Sequence, residues 1–217
     1  MRQSTPKPSV TRRLANLCFA TSLVAASGLS CATDSTVASA PLGGSGDVYV
    51  PPVAVSHPPF DHIEASWFLT LDQPYVYVDH IGSYAETRSF IPMLVREVNA
   101  QGLTMDGPPF CLFYDDADAI QARDLRSRAC IPIRGAKSPA SPLSYDVLPS
   151  RTNVVSAVSG PYADVTRAYP AMHDYMQGLN FVADGPIRES YVIQPNHAAT
   201  PADLICEIRI PVRSGGR

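Results

Sequence analysis

The groupings that most chemistries need are missing from this 217-residue chain. It has no C-x-x-C, so neither a zinc site nor a thioredoxin-type site has support. The five histidines, His57, His62, His80, His173 and His197, form no H-E-x-x-H and no other tight ligand spacing. No G-x-S-x-G marks a nucleophile elbow, and no Ser, His and acid group together by spacing. No apolar run reaches the roughly 20 residues that a membrane-spanning helix needs. Clustered Lys and Arg are also lacking. Beyond residue 31, 13 basic residues face 20 acidic ones, a net charge of −7 that argues against a nucleic-acid partner.

What is present begins with a contrast in material. Arg2, Lys7, Arg12 and Arg13 precede any acid, and an apolar run follows from Leu14 to Leu29. A basic segment, a short apolar segment and small residues beyond it form the pattern of a secretory signal, so residues 1–31 read as a leader and the protein as extracytoplasmic. Ala38-Ser39-Ala40 and Ser30-Cys31-Ala32 both offer cleavage-like small residues. Gly28-Leu29-Ser30-Cys31 resembles a lipoprotein box with its leucine one place too close, which makes Cys31 a candidate for lipid attachment. Thr11-Arg12-Arg13-Leu14 hints at a twin-arginine signal. Residues 32–60 are rich in Ser, Ala, Gly and Pro without periodicity and read as a linker.

The remainder, residues 61–217, repeats itself. Gly82-Ser83-Tyr84-Ala85-Glu86 returns 78 residues later as Gly160-Pro161-Tyr162-Ala163-Asp164. At the same offset Pro92 meets Pro170, Asp106-Gly107-Pro108 meets Asp184-Gly185-Pro186, and Trp67 meets Tyr145. Ile131-Pro132-Ile133 and Ile210-Pro211-Val212 match after a one-residue slip. The period is too long for a solenoid, and the economical reading is one domain made of two copies, 65–134 and 143–213, related by a pseudo-twofold. A seam of that kind favours a ligand groove between the halves.

Within the first copy, Trp67–Leu71 and Tyr75–Val78 read as strands with Asp72-Gln73-Pro74 as the turn between them. Ile91, Leu94, Val95 and Val98 lie on one face of a helix running to about Ala100, broken or kinked near Pro92. Phe110–Tyr114 and Arg128–Ile133 complete the unit. The second copy repeats the order through Tyr145–Leu148, Val154–Val158, a helix bearing Met172, Tyr175, Met176 and Leu179, then Glu189–Ile193 and Leu204–Val212. Each unit is β-β-α-β-β, so the expected class is α+β with antiparallel strands.

Tyr145-Asp146-Val147-Leu148-Pro149, Gly160-Pro161-Tyr162, Gly185-Pro186 with Glu189-Ser190-Tyr191, and Ile208-Arg209-Ile210-Pro211-Val212 resemble the GyrI-like small-molecule-binding domain. Cys111–Asp115 followed by Arg128–Ile133 resembles that family's first-half hairpin. The resemblance spans about residues 65–213 and rests on order and spacing more than on any one motif. It implies two fused strand-rich units and a groove in which an acid on the penultimate strand meets lipophilic cations. The matching acid is Glu189, with Tyr191 on the same strand face by period-two alternation. Tyr145, Trp67, Phe113 and Tyr169 are further aromatic candidates, each of which could instead be plain core. The resemblance implies a small lipophilic ligand and no cofactor. No helix-turn-helix pattern precedes the domain, so a transcription factor's DNA contact is not expected of this chain. A membrane contact is expected only through an N-terminal anchor, and no protein partner is identified.

Three alternatives remain at this level. Glu189 with Tyr191 nearby could serve a hydrolase as general base, since a desolvated carboxylate has a raised pKa. Met172-His173-Asp174-Tyr175-Met176 resembles the helix of SOUL haem-binding proteins, although no Met-Thr-x-Pro-Val run follows. The domain could also be an interaction module with a vestigial groove. Among the cysteines, Cys111 and Cys130 fall on two strands that read as a hairpin, so a cross-strand disulfide competes with three buried thiols.

Overall fold

Period-two runs punctuated by Gly, Pro and Asp give ten strands among the described residues, and these strands share one sheet. The computed structural model describes residues 49–135 and 138–216; the leader, Cys31 and the linker up to residue 48 lie outside them. The strands are β1 (Val55–Ser56), β2 (Ala65–Thr70), β3 (Gln73–Ile81), β4 (Phe110–Phe113), β5 (Arg126–Pro132), β6 (Ser144–Leu148), β7 (Arg151–Ser159), β8 (Phe181–Ala183), β9 (Ile187–Ile193) and β10 (Ile205–Ser214). Three helices interrupt them: α1 (Tyr84–Thr87), α2 (Ile91–Ala100) and α3 (Tyr169–Gly178). The class is α+β, as expected, and the sheet runs β1-β7-β10-β9-β4-β5-β3-β6, with β2 also on β7 and β8 also on β10.

The expected turn at Asp72-Gln73-Pro74 is not a hairpin. Gln73 and Pro74 already belong to β3, and only Leu71 and Asp72 connect it to β2. Neither residue is the Gly or Asn that a tight two-residue reversal needs. The chain therefore crosses over: β2 pairs with β7, and β6 pairs with β3. Each half lends its first strand to the second strand of the other. The backbone N–H of Ser150 donates to Asp72 Oδ1 at 2.5 Å, tying the two crossovers together. Trp67 lies opposite Val154, and Tyr145 lies opposite Val76, the same pairing moved by 78 residues in each strand.

Proline placement explains the helix breaks. Pro92 and Pro170 sit in the first turn of α2 and α3, where no intrahelical N–H is lost, each after a 3-10 turn. Ile91, Leu94 and Val98 of α2 are buried against β5, as their spacing requires. Met172 and Met176 are the buried residues of α3, which packs on β7 and β8 and whose C-terminal neighbour Leu179 is 43% exposed. The main core lies between helices and sheet and includes Val76, Ile131, Val158 and Ile208. A smaller cluster of Tyr75, Phe110, Leu112 and Cys130 occupies the other face of the sheet.

The Cys111–Cys130 disulfide is not formed. Cys111 lies opposite Ala129, and Cys130 opposite Phe110. Pleating then sends the Cys111 side chain to the main core and the Cys130 side chain to the opposite face. Cys111, Cys130 and Cys206 are free and buried.

Candidate functional site

The halves of the domain meet through β4 and β9, which pair antiparallel across the middle of the sheet. Cys111 stands opposite Glu189, the residue 78 positions on, and Leu112 opposite Arg188. Alternation therefore gives each face of the seam its own chemistry. Cys111, Glu189 and Tyr191 face the helices, while Leu112 and Arg188 face away.

Glu189 is only 5% exposed. Tyr169, the first residue of α3, donates its hydroxyl to Glu189 Oε1 at 2.5 Å, and Tyr191 donates to Oε2 at 3.2 Å. No basic side chain among the described residues forms an ion pair with it. Burial pushes its pKa up; the two hydroxyl bonds and the field of Arg88 pull the other way without cancelling it. Burial likewise raises Tyr169 and Tyr191, reinforced by the negative charge of Glu189, so both remain donors. The Cys111 thiol beside them is pushed up to about 12, chiefly by burial, and stays protonated at neutral pH.

Above this acid lies an aromatic wall with a cation on it. The rings of Tyr162 and Tyr191 are 4.8 Å apart, and the half-buried Arg88 places its guanidinium 5.1 Å and 5.7 Å from their centroids. Arg88 comes from the 3-10 turn between α1 and α2, and Tyr162 from the one before α3, so both halves contribute. A cation over these faces gains roughly 0.5–2 kcal/mol from ring quadrupoles.

Three of the six residues singled out from the sequence thus converge: Glu189, Tyr191 and Tyr169. Phe113 is a neighbour on the seam, half-buried with its ring 4.7 Å from that of Tyr84. Trp67 and Tyr145 are not brought to the acid. The strand exchange carries them to the flanks, where Trp67 is 46% exposed against Phe181 and Tyr145 packs on β3. Arg88 and Tyr162 were not singled out. Tyr162 had a signal, the tyrosine shared by both copies of the Gly-x-Tyr echo; Arg88 had none. His173 is exposed on α3, and no group of three His, Cys, Asp or Glu among the described residues could hold a metal ion.

The architecture is an α+β sheet with helices on one face and a tyrosine-held buried acid at its centre. Residues 71–213 match the family model of the GyrI-like small molecule binding domain, and the chain belongs to that family. Among solved structures it is similar to the crystal structure of the EcmrR C-terminal domain, with a TM-score of 0.63 at 20% identity over 70% of this chain and 98% of that one. The same fold recurs in a cryo-EM structure of an EcmrR–DNA complex, with a TM-score of 0.62 at 19% identity over 69% of this chain but only 57% of that one. A conserved protein from Listeria innocua gives a TM-score of 0.54 at 12% identity, covering 69% of this chain and 92% of that one. At these identities the likenesses show the fold. No curated protein matches the chain.

Proposed function

We propose that this GyrI-like domain binds a lipophilic organic cation over Glu189, between its two halves. The observation that carries the proposal is a buried carboxylate without an ion pair, held only by the hydroxyls of Tyr169 and Tyr191. Two neutral donors compensate a desolvated charge incompletely, and such groups concentrate at functional sites. A bound cation would supply the missing charge and take the ring faces of Tyr162 and Tyr191 that Arg88 now covers. Arg88 reaches them on a side chain with several rotatable bonds, so its departure is the opening step.

Titrating the chain with tetraphenylphosphonium and with neutral triphenylphosphine oxide tests this. The cation should bind more tightly, and Glu189→Gln should weaken it by roughly 1.5–3 kcal/mol, about 10–150-fold, the worth of a charge-assisted contact. Equal affinities for both compounds, or an unchanged cation affinity in the variant, would remove the basis of the proposal. An exported location belongs to the same reading. It is supported by the basic and then apolar residues of the leader, and fractionation of cells expressing the full chain checks it.

A further inference from the structure

The face of the sheet turned away from the helices holds a cavity of about 1680 Å³, and none of the six aromatic and acidic candidates lines it. Its floor is the other side of the same seam. Arg188, alternating with Glu189 on β9, is 8% exposed there. Its Nε donates to Ser190 Oγ at 3.0 Å, its Nη1 donates to Gln73 Oε1, and its guanidinium carbon stands 4.0 Å from the centroid of the Phe110 ring. Every one of these partners is neutral.

Neighbouring arginines on the lining are differently placed. Arg128 pairs with Asp79 and Asp146, each at 2.9 Å. Arg209 pairs with Glu207 at 2.5 Å, and Tyr49 closes that pair by donating to Glu207 at 2.6 Å and accepting from Arg209 at 2.9 Å. Arg151 donates to the Asp184 carbonyl. Glu207 is thus committed to Arg209 and Tyr49, and no carboxylate among the described residues reaches Arg188. Burial and the like charge of Arg209 lower the Arg188 pKa to about 10 against the smaller pull of Glu207, whereas Arg128 and Arg209 are raised by their acids.

A buried cation without an ion pair is costly unless something supplies one. Around it the cavity is walled by Phe68, Leu112, Leu148, Val155 and Val192, apolar surface well beyond the reach of a guanidinium. Small-molecule sites combine such walls with a few placed polar groups, usually in about 300–1,000 Å³, so the space is ample. We propose that this cavity is a second binding site, separate from Glu189, for an amphiphile with one anionic headgroup. Arg188 receives the carboxylate or phosphate, Gln73 and Ser190 hold the guanidinium in place, and the apolar body lies along Phe68, Leu148 and Val155.

The test is calorimetric titration of the full chain with octanoate, octyl phosphate and octanol below their aggregation limits. Either anion should bind at least tenfold more tightly than the alcohol, and whichever is tighter identifies the headgroup. Arg188→Gln should bring the anion to the level of octanol, while Glu189→Gln should leave it unchanged. Leu148→Trp, which narrows the wall without touching the charge, should weaken anion and alcohol alike; it decides the matter if Arg188→Gln does not fold. Equal binding of anion and alcohol to the native protein would overturn the proposal. So would octanoate binding of native strength in a folded Arg188→Gln variant, or in Leu148→Trp.

Discussion

Replacing Glu189 by Gln should make this protein more stable at neutral pH and slightly less stable in mild acid. The native carboxylate is 5% exposed and is served by two tyrosine hydroxyls with no ion pair. Its desolvation costs several kcal/mol, and the two bonds from neutral donors, at about 1.5–3 kcal/mol each, offset most of it but leave the charged form disfavoured, as its raised pKa shows. Gln keeps the shape and one acceptor, losing about one ordinary bond of ~1 kcal/mol. The expected net gain is on the order of 1 kcal/mol at pH 7, or a few degrees in Tm at about 2–4 °C per kcal/mol. The sign with pH follows from the raised folded-state pKa. Between the unfolded and folded values the native state holds more protons, so native stability falls as pH rises through that window, and it is highest below the unfolded value. The variant lacks this slope. Chemical denaturation of both proteins from pH 4 to pH 8 measures the difference directly. A variant less stable than the native protein at pH 8, or a difference that does not grow with pH, would refute the reasoning.

Tyr169→Phe should act in the opposite direction, costing about 1–3 kcal/mol at pH 7 because it removes the 2.5 Å donor from a buried charge, and less at pH 4. The same denaturation series reads it, and a loss independent of pH would mean that the ring matters more than the hydroxyl. Leu94→Ala should cost about 2–5 kcal/mol, since Leu94 lies on the inner face of α2, fully buried in the main core. Peptide mapping after alkylation at pH 8 should find Cys111, Cys130 and Cys206 unmodified in the native protein and all three modified after unfolding without reductant. A Cys111–Cys130 peptide pair would contradict the register of β4 on β5.

Much of the fold is local chemistry and was legible. Period-two runs placed most of the longer strands, the i, i+3, i+4, i+7 face of Ile91, Leu94, Val95 and Val98 placed α2, and the breaks read at Pro92 and Pro170 proved to be helix starts. The strands β1 and β8 were not, being too short to show a period. The strand exchange was not legible either, because period two says which residues share a face and nothing about which strand lies alongside. That limit explains the site. Alternation put Glu189 and Tyr191 on one face, but the crossover that carried Trp67 and Tyr145 to the flanks leaves no mark in composition or spacing. The hairpin reading of Cys111 and Cys130 was right about the strands and missed the pleat. Their register offsets the pair by one residue and turns the two thiols to opposite sides of the sheet.

The sequence by itself determined the α+β class, the GyrI-like kinship and the acid at the penultimate strand, all of which depend on order along the chain. Tertiary structure alone decided that Tyr169 and Tyr191 hold that acid, that Arg88 lies over the paired rings of Tyr162 and Tyr191, and that Arg188 lies back to back with the acid in a separate cavity. These groups are brought together by sheet pairing and helix packing across the two halves. Desolvation and charge balance depend on what fills the space around a residue, which residue order does not specify.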